Sequence, residues 1–155
     1  MDVRYVNPFI DSALNVLSTM AQTEAFSGTP KLKVDNVTWG EVTGLIGMAG
    51  DNVVGNLIIS FDEPSILGIV SRMLGENFLS ISDEIVDAVG EITNMISGGA
   101  KAKLATEGFQ FNMATPVMVQ GKHVKMSQLT TSPIISIPFE TNEGKFVIEA
   151  SIQRK

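Results

Sequence analysis

The chain has 155 residues, 44% of them apolar and 18% charged, with a formal net charge of −6. That balance describes one globular domain large enough to bury a core, and it offers no basic patch to neutralise nucleic-acid phosphates. With no cysteine in the sequence, disulfides, thiol catalysis and cysteine-ligated metal are excluded together. The opening MDVRYVNPFIDSALNVL places Asp2 and Asp11 where a signal peptide carries a basic start and a clean apolar core. No apolar run approaches the ~20 residues of a membrane span. The expectation is a cytoplasmic protein that binds neither membrane nor nucleic acid.

From Val3 to Glu24, Val6, Phe9, Ile10, Ala13, Leu14, Leu17 and Met20 recur at helical spacing. Asn7-Pro8 reads as a cap or first turn, and Ser27-Gly28-Thr29-Pro30 as the stop. Three strands follow, Lys31–Trp39, Val42–Met48 and Val53–Phe61, joined by the tight turns Trp39-Gly40-Glu41 and Ala49-Gly50-Asp51-Asn52. Asp62-Glu63-Pro64 starts a shorter helix, with Ile66, Leu67, Val70, Met73 and Leu74 as its stripe and Gly75 as its end. A long helix runs from Ser82 to Gly108. Beyond it lie strands Thr115–Gln120, Met126–Pro138 and Lys145–Gln153, the second bent or interrupted by Pro133 and Pro138.

Helix and three strands, then helix and three strands again, indicate a duplication, with a short helix between the copies. The expected fold is α/β (α+β): a mostly antiparallel six-stranded sheet with two long helices and one shorter one. It forms a single domain, residues 1–155, with pseudo-repeat halves of about 1–75 and 76–155. Aligning the long helices sets Asp11, Asn15 and Ser18 on Asp87, Glu91 and Asn94. The first copy keeps the aspartate and loses the other two identities.

In the long middle helix, Ile85, Val89, Ile92, Ile96 and Ala100 share one face, the stripe of a helix lying on a core. Asp87, Glu91, Asn94, Gly98 and Lys101 form a second stripe within about 80° of arc, pointing away from it. A merely solvated face would use strong helix formers. This one carries Gly90, Gly98 and Gly99, each about 1 kcal/mol worse than alanine in a helix interior. For Gly90 and Gly98 the reading is a landing surface for another molecule's backbone. Gly99 fits either that role or a close approach within the chain.

The remaining chemistry is sparse. No Ser–His or Cys–His pair is available, because the only histidine, His123, lies in a turn. No cluster has metal-ligand spacing, and no glycine loop has phosphate-cradle spacing. A carboxylate and a carboxamide three residues apart on a helix can still enter one cleft of a partner. There the amide can hold a water in line with a phosphorus, since phosphoryl transfer rests mainly on positioning and electrostatics.

Asp87-x3-Glu91-x2-Asn94, followed after 21 residues by Pro116 in Thr115-Pro116-x4-Gly121, resembles the signature of the CheC/CheX/FliY chemotaxis phosphatases. With the motif on one helix only, the chain resembles CheX more than CheC. The resemblance implies a CheC-like fold and hydrolysis of the aspartyl phosphate of a CheY-type response regulator. It implies that Asn94 orients the attacking water and Glu91 engages the regulator's active-site lysine. Asp87 and Lys101 would be rim contacts and Pro116 structural. No cofactor of the chain's own is implied, Mg2+ being carried by the regulator, and a homodimer is expected. The alternative is a noncatalytic module that binds a regulator or flagellar protein through the same face. A small-ligand sensor using the sheet is a third reading.

Overall fold

The computed structural model describes residues 3–126 and 133–154 of the chain. Among these, α1 (Val3–Ala21) leads to two short strands, β1 (Phe26–Ser27) and β2 (Lys31–Lys33), and to the hairpin β3 (Val42–Ala49) and β4 (Val53–Phe61). Next come α2 (Glu63–Leu74) and α3 (Asp83–Thr106), then β5 (Asn112–Met113), β6 (Val117–Gln120), β7 (Ile134–Glu140) and β8 (Lys145–Arg154). All the strands join one antiparallel sheet. Its central order is β7-β8-β4-β3, with β1 and β2 in tandem on the free side of β7 and β5 and β6 in tandem on the free side of β3. The sheet thus has the expected six positions, each outer one divided into two short strands.

The strand order carries the duplication. Exchanging β2 for β6, β3 for β7 and β4 for β8 returns the same order read from the other edge. The copies are interleaved, because β2 pairs with β7 and β6 with β3. The two long helices agree with this. Phe9, Asp11, Ser12, Ala13, Asn15, Val16, Leu17 and Ser18 are buried or exposed in step with Ile85, Asp87, Ala88, Val89, Glu91, Ile92, Thr93 and Asn94.

The three helices cover one sheet face. Period-two alternation turns Leu57, Ile59 and Phe61 of β4 and Phe146, Ile148 and Ala150 of β8 toward them, where they meet Phe9 and Leu17 of α1, Ile66 and Ile69 of α2, and Ile85, Val89, Ile92 and Ile96 of α3. Phe139 and Phe146 stack with centroids 4.7 Å apart within this core, near the β7–β8 turn. α2 is capped as its sequence implies: Asp62 accepts from the Ser65 N–H at 2.9 Å and Gly75 adopts φ 69°.

Several boundaries differ from the sequence reading. Pro8 lies inside α1, which begins at Val3. Met20 of the first stripe and Leu74 of the second are exposed, because each sits in the last turn, beyond the reach of the sheet. Lys31–Trp39 is not one strand. Beyond Lys33, Asp35 accepts from the Val37 N–H, an Asx turn, and the chain crosses the far face to bridge Lys125 through Val37. Of the expected Met126–Pro138 strand, residues 127–132 lie outside the described residues. Its remainder is β7, which tolerates Pro138 because the missing N–H faces the gap between β1 and β2. There Gly28 donates to the Pro138 carbonyl at 2.7 Å, and a β-carbon on Gly28 would crowd the proline ring.

The far face of the sheet holds a buried ion pair, Lys33 Nζ to Glu149 Oε2 at 2.7 Å, with the glutamate side chain only 3% exposed. Burial raises the Glu149 pKa, and the hydrogen bond and charge of Lys33 work against that rise. The folded state therefore holds this proton more tightly than the unfolded chain. The stability it contributes is complete below the ordinary carboxylate value and is lost as pH rises through the raised one. Lys33→Ala, which leaves the carboxylate buried alone, should lower unfolding stability at neutral pH by about 3 kcal/mol. That deficit should shrink as pH falls from about 8 to about 5. Urea denaturation across that range checks it, and a deficit that stays constant or grows on acidification would contradict the assignment.

Candidate active site

The outward stripe depends on how α3 is seated. Thr93 is fully buried on the sheet side and bonds back to the Val89 carbonyl at 2.7 Å. Directly beneath it lies Gly44 of β3, where any β-carbon would overlap the Thr93 hydroxyl. On one flank α1 approaches equally closely. Ser12 donates to the Ile96 carbonyl at 2.6 Å, and a β-carbon on Gly99 would overlap the Ser12 hydroxyl. Of the two roles open to Gly99, the structure shows the close approach within the chain. On the other flank Gly90 is buried against Met118 of β6, whose sulfur would lie 2.9 Å from an added β-carbon. Gly90 is therefore a contact with β6 and not a landing surface for a partner. The sequence signal was ambiguous because a glycine beside an outward carboxylate reads the same in both cases.

With its flanks fixed by α1 and β6, α3 presents Asp87, Glu91 and Asn94 to solvent, all three exposed. Among the described residues none of these side chains has an ion-pair or hydrogen-bond partner. Gly98, one turn beyond Asn94, has nothing within 4 Å of where a β-carbon would stand, so backbone is bare there. On α1 the matching Asp11, Asn15 and Ser18 are also exposed, and Asp11 reaches Lys103 of α3 at 3.4 Å. The structure thus brings Asp87, Glu91, Asn94 and Gly98 onto one open strip and sets Gly90 apart from it. Lys101 is half-buried at the strip's end, on the wall of a cavity that the sequence did not announce. Its only trace there was the Phe109-x-Phe111 alternation after Gly108.

The second half of the motif is structural. β6 begins one residue after Pro116, and Gly121 closes the strand at φ 115°, donating to the Glu41 carbonyl at 2.8 Å. This turn holds β6 alongside β3 and so puts Met118 against Gly90. His123, with φ 57°, lies in the following turn on the far side of the sheet from the strip. Among the described residues no group of three or more histidine, aspartate or glutamate side chains could hold a metal ion, and no helix is long and apolar enough to cross a membrane.

Comparison with known proteins agrees with this geometry. Residues 42–140 match the family described as chemotaxis phosphatase CheX. The CheY-P phosphatase CheX of Thermotoga maritima is 28% identical over 155 residues, covering 99% of this chain and 98% of that protein. The crystal structure of a CheC-like superfamily protein from Shewanella sp. PV-4 superposes with a TM-score of 0.91 at 46% identity, covering 99% of each chain. The CheX chain in the CheX–CheY–BeF3–Mg2+ complex of Borrelia burgdorferi superposes at 0.78 with 30% identity, again over 99% of each. With the motif helix, the interleaved sheet and these matches together, the chain belongs to the CheX family of chemotaxis phosphatases.

Proposed function

We propose that this protein hydrolyses the aspartyl phosphate of a phosphorylated CheY-type response regulator, using Glu91 and Asn94. The observation that carries the reading is that these two side chains stand one turn apart, exposed and unpartnered, on a helix held rigidly from three sides. A family member in complex with CheY and a phosphoryl mimic supports the choice of partner. Asn94 enters the receiver's phosphorylation cleft and holds a water opposite the P–O bond to the aspartate. The water oxygen bonds to phosphorus as that bond breaks, the aspartate leaves as carboxylate, and inorganic phosphate departs with the water's protons. The leaving carboxylate is stable without protonation, so the chain needs no general acid, and the barrier is lowered chiefly by positioning. Glu91 pairs with the receiver's lysine and sets the register. The divalent ion that neutralises the phosphoryl oxygens is the receiver's own. Asp87 at one end of the strip and Lys101 at the other make rim contacts, and the bare backbone at Gly98 admits the partner's main chain.

A homodimer is proposed as well, on the strength of unpaired outer strands and of Phe26, Leu32 and Val34, large apolar side chains exposed at or beside the β1/β2 edge. Light scattering at micromolar concentration should give about twice 16.6 kDa, and a mass near 16.6 kDa would overturn it.

Asn94→Ala should lower kcat for a phosphorylated receiver by about 10²-fold or more while leaving its binding largely intact. Glu91→Ala should also raise KM, by about tenfold at low salt. Neither change removes core packing, so stability should move by less than about 0.5 kcal/mol. Asn15→Ala and Ser18→Ala on α1 should retain near wild-type turnover. Phosphate release from the phosphorylated receiver is the measurement. An Asn94→Ala protein with wild-type turnover would replace the phosphatase reading by the noncatalytic binding module. Gly98→Ala should stabilise the fold by up to about 1 kcal/mol yet weaken receiver binding. An unchanged KM would remove Gly98 from the contact surface.

A further inference from the structure

The outward strip of α3 runs at its C-terminal end into a cavity of about 360 Å3. Lys101 and Ala105 form the helical wall, Asp51 belongs to the β3–β4 turn, and Phe109, Gln110 and Asn112 close the remaining side. The Arg154 guanidinium lies 4.8 Å from the centroid of Phe109, so two cations flank this corner of a chain whose net charge is −6. Asp51 lines the cavity without forming an ion pair with Lys101, and among the described residues no carboxylate does.

Lys101 lies seven residues beyond Asn94, about 10 Å along the axis at ~1.5 Å per residue. A stable protein interface covers about 800 Å2 on each partner, a disc of roughly 16 Å radius. A receiver seated over Asn94 therefore extends across Lys101 and the mouth of the cavity. Covering a cation that has no direct ion-pair partner is unfavourable, and Asp51, on the same lining, makes no ion pair with Lys101. A carboxylate on the incoming surface makes the direct pair with Lys101 that, among the described residues, no carboxylate of the chain makes.

We propose that this cavity is a specificity pocket for the receiver, filled by an aspartate or glutamate side chain that pairs with Lys101, with the amides of Gln110 and Asn112 beside it. This rests on the α3 face being the receiver's docking site, as argued above. The pocket adds no chemistry to hydrolysis. It selects among receivers that share the same phosphorylation cleft by asking for an acidic residue at a fixed distance from the phosphoryl group.

The test measures receiver affinity by titration and steady-state hydrolysis over a range of salt. Lys101→Glu should raise Kd and KM by about tenfold or more and abolish the weakening that salt causes through this contact, with the loss confined to binding. Lys101→Gln should fall between. Ala105→Phe, which fills the cavity from the helix, should raise KM without changing the salt dependence. A scan of charge reversals on the receiver should find one Asp→Lys or Glu→Lys that restores affinity to the Lys101→Glu protein. If folded Lys101→Glu and Ala105→Phe proteins both bind the receiver like wild type, the pocket is not part of the interface. That result leaves the phosphatase reading intact, since Asn94→Ala decides that reading through kcat, whereas the pocket is decided by affinity.

Discussion

The absence of a side chain at Gly44 governs how far α3 stands from the sheet. Thr93, on the underside of α3, occupies the space a β-carbon of Gly44 would need, and its hydroxyl is satisfied within the helix. Two glycines repeat the arrangement on the flanks, Gly99 against Ser12 of α1 and Gly90 against Met118 of β6. These three contacts leave α3 little freedom to roll or rise. That matters because, among the described residues, the side chains of Asn94 and Glu91 have no hydrogen bonds to aim them. A side chain without local support takes its direction from its backbone, and here the backbone is held by close approach on three sides.

The two copies differ on their outward faces and agree on their buried ones. α1 and α3 bury and expose the same sequence of positions, so the demands of the sheet have kept their apolar faces alike. The outward faces are under no such demand. Asn15 stands where the second copy has Glu91, and Ser18 where it has Asn94. A serine hydroxyl is shorter than a carboxamide and reaches less far from the helix. The second copy also extends past the first: α3 continues to Thr106, and the added turns supply Lys101 and Ala105.

Much of the architecture was legible in the sequence because it rests on periodicity. Residues 145–153 alternate cleanly and form β8; Asp62, Pro64 and Gly75 bound α2 where their backbone preferences place them. The outward direction of Asp87, Glu91 and Asn94 followed from 3.6-residue geometry alone. What could not be read depended on long-range contacts. The division of Lys31–Trp39 goes with the turn at Asp35 and with a bridge from Val37 to Lys125, far along the chain. Tolerance of Pro138 depends on a gap in a neighbour. The role of Gly90 depends on a methionine brought beside it by Pro116 and Gly121. A glycine states that something comes close; only the fold says whether that is the chain itself or a visitor.

The interleaving of the two copies has a consequence for the order in which α3 is seated. The central ladder joins Phe61 to Phe146 at one end and Val53 to Arg154 at the other, and β6 completes itself only on β3. These pairings are between residues far apart in sequence, the kind that must await closure of long loops and slow folding. A nascent chain that has emerged as far as α3 already carries Glu91 and Asn94 on a helix. It lacks the strand that will press on Gly90, and β4 is still an open edge. Helicity alone does not fix the face, because β6 and β8 follow α3 in the chain. The outward face of α3 is therefore set in place only when β6 has met β3 and β8 has met β4.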